Sequence, residues 1–227
     1  MRSTTCSWAH AGVPRAIIAS AMILETAILR SRMRHTIPQR AAAACVLLFI
    51  ACAAAGAQEP PAPTDDPFAA GRWHVEGALN GALETWNYNV SHEELYGLTE
   101  GLTYGVKDGV VFTMHQHIYY VSQRANDSWL LGLTCGFRGR VYRHGRSSVF
   151  IDGAIGISDA AIAAPPRGTR FNYLATGSGG VLVRVRPRVH AVAALQWIHV
   201  SNNSLKGPGR NPDIEAVGPR IGVVVGF

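Results

Sequence analysis

The sequence predicts an all-β fold, an eight-stranded antiparallel transmembrane β-barrel of the outer membrane, and three features carry that expectation. Past residue 70, apolar residues alternate with small or charged ones over about ten positions at a time, in eight successive segments. The face opposite the apolar one holds glycine, alanine and isolated charges of both signs. The connections alternate between short and long, as in bacterial barrels with short periplasmic turns and longer outer loops.

The segments fall at roughly 72–84, 95–106, 110–121, 129–142, 147–158, 170–185, 189–201 and 213–227. In the fourth, Trp129, Leu131, Leu133, Cys135 and Phe137 share a face, opposite Thr134, Gly136, Arg138 and Arg140. The fifth sets Ile151, Ile155 and Ile157 against Asp152, Ala154 and Gly156. The eighth sets Val217, Ile221, Val223, Val225 and Phe227 against Gly218, Arg220, Gly222 and Gly226. A soluble sandwich turns its apolar face inward and its charges to water. Small residues mixed with opposite charges instead suit a thin barrel with an ion-paired interior and a greasy outside. Short turns are expected at Lys107-Asp108-Gly109, Arg143–Arg146 and Arg186-Pro187-Arg188, and the last residue, Phe227, lies on the apolar face. A soluble periplasmic β-barrel that binds a lipid is the competing fold.

Residues 1–57 are expected to form an N-terminal extension and signal peptide. From Met33 the chain runs through Arg34, His35 and Arg40 into an apolar stretch, Ala41 to Ala55, and then Ala55-Gly56-Ala57. A basic start, a short apolar run and small residues before the cut describe a secretory signal, cleaved here after Ala57. The run is shorter than the ~20 residues of a spanning helix. Residues 1–32 fit no part of such a signal, so Met33 is the expected start. Residues 58–70, Pro-rich and acidic over Glu59–Pro67, are read as a linker and 71–227 as the barrel domain.

Charge follows this division. The formal net charge is +6, but residues 1–57 hold six Arg against Glu25 alone, whereas residues 58–227 hold fifteen Lys+Arg against fourteen Asp+Glu. The mature part is nearly neutral, with no basic stripe, so a nucleic-acid partner is not expected. Cys6, Cys45 and Cys52 leave with the N-terminal segment, so Cys135 has no disulfide partner.

Chemistry concentrates in two stretches, Trp197-Ile198-His199-Val200-Ser201-Asn202 and Asn211-Pro212-Asp213-Ile214-Glu215. His199 and Ser201 are two apart on a strand, so an imidazole and a hydroxyl project from one face. Counting back gives Trp197, Leu195, Ala193 and Ala191, the apolar set; Glu215 shares parity with Val217, Ile221 and Phe227. Three polar groups are therefore expected on the lipid-facing side of two paired strands, at the outer end. A charge there costs roughly 2–4 kcal/mol at the midplane and less near the interface. A triad would supply partners: Ser201 as nucleophile, His199 as general base, Glu215 fixing the imidazole.

These stretches, with Phe150-Ile151-Asp152-Gly153-Ala154-Ile155-Gly156 and Gly168-Thr169-Arg170-Phe171-Asn172-Tyr173, resemble the lipid A 3-O-deacylases, PagL-like outer-membrane enzymes. The resemblance covers about the last eighty residues. It implies an esterase that removes the acyl chain ester-linked at position 3 of lipid A, with base, nucleophile and orienting acid carried onto His199, Ser201 and Glu215. Asn202 maps to the Asn after the nucleophile, an oxyanion candidate. This chain departs from the family at Asn203-Ser204, where a small Ala-Gly pair is usual.

Other motifs imply less. His115 and His117 point into the barrel with Thr113, without a placed carboxylate, so no metal is expected. Gly177-Ser178-Gly179-Gly180 opens no helix and is not a phosphate loop. Arg184, Arg186 and Arg188 belong to a periplasmic turn. No cofactor is expected. The expected partners are lipid A or lipopolysaccharide as substrate and outer-membrane lipids as surroundings. The alternative function is a non-enzymatic barrel with a structural or adhesion role.

Overall fold

The structure is a computed structural model that describes residues 66–85, 91–207, 209 and 211–227. The expected signal peptide, and residues 58–65 of the expected linker, lie outside the described residues.

Eight strands form one closed antiparallel barrel: β1 (Trp73–Glu84), β2 (Glu94–Lys107), β3 (Val110–Ser122), β4 (Ser128–His144), β5 (Ser147–Ala160), β6 (Phe171–Arg186), β7 (Val189–Ser201) and β8 (Ile214–Gly226). Each strand pairs with its neighbours in sequence, and β1 closes on β8 with Leu79 opposite Ile221. Closure leaves no sheet edge, the condition for strands to cross a hydrocarbon layer. The β2–β3, β4–β5 and β6–β7 connections are two residues each. Gly109, at φ 85°, supplies the left-handed backbone of the first. The long connections all lie at the opposite end. Inward-facing glycines let neighbouring strands close tightly: a Cβ on Gly101 would meet the Met114 carbonyl oxygen at 2.1 Å, and one on Gly222 the Gly77 oxygen at 2.2 Å.

The two faces separate as the parity requires. Leu79, Ile151, Ile155, Leu195 and Ile221 point outward and are 61–72% exposed, a density of bare aliphatic surface that water does not tolerate. Cys135 is a free thiol on the same outer wall. Exposed aromatics sit near both ends, Trp73, Tyr142 and Phe227 at one and Tyr96, Trp129 and Phe171 at the other. Greasy outside and charged inside, the barrel is membrane-spanning and of the outer-membrane type.

The interior is layered. At mid-height Glu76, fully buried, pairs with Arg138 (Nη1–Oε2 2.9 Å) and with Arg220, and His115 lies 3.5 Å away. Asp152 binds Arg138 (3.0 Å) and Arg220 (3.4 Å) and accepts the Ser178 hydroxyl (2.5 Å). An unpaired buried charge is costly; here both acids and both guanidiniums are matched. His117 sits between Thr99 and Thr134, 2.9 Å from each hydroxyl. His115 thus lies beside a carboxylate, Glu76, that the sequence did not place, and His117 is held between two hydroxyls.

Apolar clusters fill the barrel on either side of this layer, which the expectation of a polar interior did not include. Leu95, Tyr119, Val121, Leu130, Leu174 and Ile198 pack at the long-loop end, and Phe68, Val111, Phe150, Leu182, Val192 and Val224 at the other. Phe68 comes from residues read as linker. Asp66 beside it accepts from Arg140 (2.7 Å), Arg143 (2.9 Å) and the Phe68 amide (3.0 Å), and the Gly109 amide donates to the Phe68 carbonyl (3.0 Å). The stretch 66–70 closes the short-turn end.

Candidate active site

The site is assembled by the register of the last strand pair. β7 ends on His199-Val200-Ser201 and β8 begins with Ile214-Glu215, and pairing sets His199 directly opposite Glu215. Residues opposite each other across antiparallel strands have Cβ atoms about 4.5–5.5 Å apart, within reach for an imidazole and a carboxylate. Both side chains emerge on the outer wall, His199 25% and Glu215 17% exposed. Ser201, two residues on, shares their face.

Three side chains form a continuous chain of hydrogen bonds. Glu215 Oε1 lies 2.6 Å from His199 Nδ1, and His199 Nε2 lies 2.9 Å from Ser201 Oγ. A carboxylate only accepts, so Nδ1 carries the hydrogen and Nε2 offers its lone pair to the serine hydroxyl. In this tautomer the imidazole is set to take the Ser201 proton. The expected residues His199, Ser201 and Glu215 are therefore brought together.

Asn202 is placed differently. It turns away from the wall and is buried. Its amide donates to Asn211 Oδ1 (3.0 Å), and its Nδ2 donates to Thr169 Oγ1 (3.0 Å). Thr169 is held in turn by Asn172, 2.9 Å from Oδ1, and the Asn172 amide spans Ala164 and Thr169 carbonyls. The segment 161–170 is thereby tied to Asn202 and Asn211 beside Ser201. Asn203 and Ser204 follow with left-handed φ of 49° and 59°, which turns the chain sharply away from the strand. A cleft of about 360 Å³ opens between these two loops, lined by Thr169, Arg170, Phe171, Asn202, Leu205 and Lys206.

Four neighbouring residues carry no role in the reading of the sequence. Trp197 donates from Nε1 to Glu215 Oε2, the oxygen His199 leaves unused, and its ring stacks on the imidazole. Its parity with His199 was the available signal. The Thr169–Asn172 support joins the loop before β6, whose fold no periodicity announces, to the second residue of that strand. Asp213 offers a carboxylate oxygen that, with ligand atoms of His199 and Glu215, falls in a group spanning 4.8 Å, the one such group among the described residues. A cation held there would compete with the imidazole–carboxylate bond.

No protein-family model matches the chain, and no curated protein matches it. Solved structures do. The barrel is similar to Neisserial surface protein A, at 12% identity and a TM-score of 0.54 over 68% of this chain and 97% of that one. It is also similar to the outer membrane protein OprG from Pseudomonas aeruginosa, at 12% identity and a TM-score of 0.47 over 70% and 97%. A third similar structure is the outer membrane enzyme PagL, at 16% identity and a TM-score of 0.47 over 66% and 97%. At such identities the likeness is one of fold, that of small outer-membrane barrels. Fold and site together define the class: a membrane-spanning barrel with a filled interior and a Ser–His–Glu cluster on its outer wall.

Proposed function

We propose that this chain is an outer-membrane ester hydrolase that removes the 3-O-linked acyl chain of lipid A. The observation that carries the reading is the Glu215–His199–Ser201 relay on the lipid-facing wall. Three polar side chains there are costly unless used, and their order is that of a nucleophile, a base and an orienting acid. In the proposed reaction Ser201 Oγ attacks the acyl carbonyl while its proton passes to His199 Nε2. Glu215 holds the imidazolium through Nδ1–H. The tetrahedral intermediate collapses as His199 returns the proton to the departing sugar oxygen, leaving the acyl chain on Ser201. A water, deprotonated by His199, then releases the fatty acid and restores the serine. Asn202 is the proposed oxyanion donor, which requires its Nδ2 to reach from Thr169 toward the carbonyl oxygen.

The depth of the site supports an amphiphilic substrate. All three residues lie within the last or first three positions of β7 and β8, at the long-loop end, where a barrel of this type meets the outer leaflet. The adjoining cleft combines Phe171 and Leu205 with Arg170 and Lys206, which suits a molecule with acyl chains and an anionic head group. The deciding measurement is the mass of lipid A from cells with and without the protein. Loss of one 3-linked hydroxyacyl chain, dependent on Ser201, is expected. Unchanged lipid A from every source offered would turn the reading to a non-enzymatic barrel.

A further inference from the structure

We infer that Trp197 is a positioning residue of the Glu215–His199–Ser201 relay, an inference that rests on the esterase reading above. Trp197 precedes His199 by two residues on β7 and projects from the same face. It makes two separate contacts there. Its Nε1–H donates to Glu215 Oε2, so the carboxylate is held at one oxygen by the indole and at the other by the imidazole. Its ring lies over the His199 ring, with centroids 5.8 Å apart and planes 17° apart.

Each contact removes a different freedom. The terminal torsion of a glutamate is broad, and a carboxylate bound through one oxygen still swings about it. A second donor fixes the plane of the carboxylate, and with it the direction of the Oε1 lone pair that orients Nδ1–H. The stacked indole limits rotation of the imidazole about χ2, which keeps Nε2 on Ser201. The indole also faces a ring that becomes cationic when it accepts the serine proton, and an aromatic face within about 6 Å of a cation stabilises it. The contact therefore strengthens as the reaction proceeds and should act on kcat rather than on KM.

The neighbouring strand leaves room for this arrangement. Gly177 is the partner of Trp197 on β6, and a Cβ built on it would lie 3.6 Å from the indole Cε3, so the ring rests across the glycine. An aromatic residue near the head groups is ordinary in a membrane barrel. What distinguishes Trp197 is the destination of its N–H, a carboxylate of the relay. Phenylalanine would keep the ring and lose the donor; leucine would lose both.

The test uses the full chain folded in detergent, with folding checked by gel migration before and after boiling. Two readouts are taken: the rate at which a fluorophosphonate labels Ser201, and kcat and KM on a short-chain nitrophenyl ester. Trp197→Phe is expected to label about tenfold more slowly, the loss of one hydrogen bond to a charged group. Trp197→Leu should be slower still, with kcat falling in both variants and KM unchanged. In a Glu215→Ala background Trp197→Phe should cause no further loss. Labelling of Trp197→Phe and Trp197→Leu at the wild-type rate would overturn the inference, as would an equal drop with and without Glu215, or a rise in KM alone. A wild-type protein labelled at Ser201 that leaves lipid A intact would refute the proposed substrate while the Trp197 comparison still stands. A wild type that is not labelled at all overturns both.

Discussion

Replacing Glu76 by Gln removes one charge from the centre of the barrel without changing its volume. Glu76 and Asp152 balance Arg138 and Arg220, and Glu76 is the member that touches both guanidiniums and is fully buried. Neutralising it leaves two guanidiniums on Asp152, which lies 3.0 Å from one and 3.4 Å from the other. One positive charge is then uncompensated in a closed interior. Breaking a buried ion pair from one side costs about 3–5 kcal/mol. At about 1.4 kcal/mol per tenfold, that is roughly two to three and a half orders of magnitude in the folding equilibrium. The double change Glu76→Gln with Arg220→Met restores neutrality and leaves Arg138 paired with Asp152, so it should cost less than the single one. Reversible urea unfolding in lipid vesicles, followed by tryptophan fluorescence, measures both. A Glu76→Gln barrel within about 1 kcal/mol of the wild type, or a double variant less stable than the single, would refute the view of the interior as one charge-balanced unit.

On the proposed esterase reading, Ser201→Ala and His199→Ala should each abolish ester hydrolysis while leaving the heat-dependent gel shift intact, and the double variant should be no worse than either single. Glu215→Ala should lose less, since the acid orients the base and does not handle the substrate proton. Cys135→Ser should leave folding and activity nearly unchanged, because the thiol lies on the outer wall; a large loss would mean that strand β4 is shifted by one residue. Burial alone would raise the Asp66 carboxyl, but hydrogen bonds from Arg140 and the Phe68 amide and the charges of Arg140 and Arg143 bring it below its usual 3.8. Its contribution to holding residues 66–70 is therefore complete above that value and is lost as pH falls through the lower folded one. Hydrogen exchange at the Gly109 amide should accelerate in acid relative to its intrinsic rate, and protection that stays unchanged until Asp66 is protonated in the folded barrel and beyond would refute the anchor.

The strands were legible because parity is a strong signal wherever one face meets lipid and the other a narrow lumen. The Trp129-to-Phe137 face and the Arg138 face separate as expected, and all eight segments fall within two residues of the observed strands. The Ser201–His199–Glu215 grouping was legible for the same reason: period-two spacing puts the first two on one face, and the parity of β8 puts Glu215 on the same wall, where strand pairing sets it opposite His199. The rest depended on contacts distant in sequence. Phe68 plugs the barrel from a stretch whose Pro-rich, acidic composition reads as unstructured, and what holds it is Arg140, 74 residues away from Asp66. The apolar layers at either end of the lumen come from inward positions of five or more strands, each unremarkable on its own strand. Asn202 follows Ser201 by one residue, which reverses the face, so its side chain meets Thr169, a partner that spacing along the strand does not announce.

The placement of Ser201 on the wall, with the lumen filled behind it, changes what concentration means for this protein. Nothing reaches the hydroxyl by passing down the barrel, because Ile198, Val200 and Ile214 pack the interior side of the same strands with no exposed surface. For a lipid substrate of the kind proposed, approach is then sideways, by diffusion within the leaflet, and the rate of encounter follows its mole fraction among the surrounding lipids. Diluting the membrane with an inert lipid should slow encounter even when the total amount of partner per volume of sample is fixed. Diluting the whole suspension with buffer should leave it unchanged.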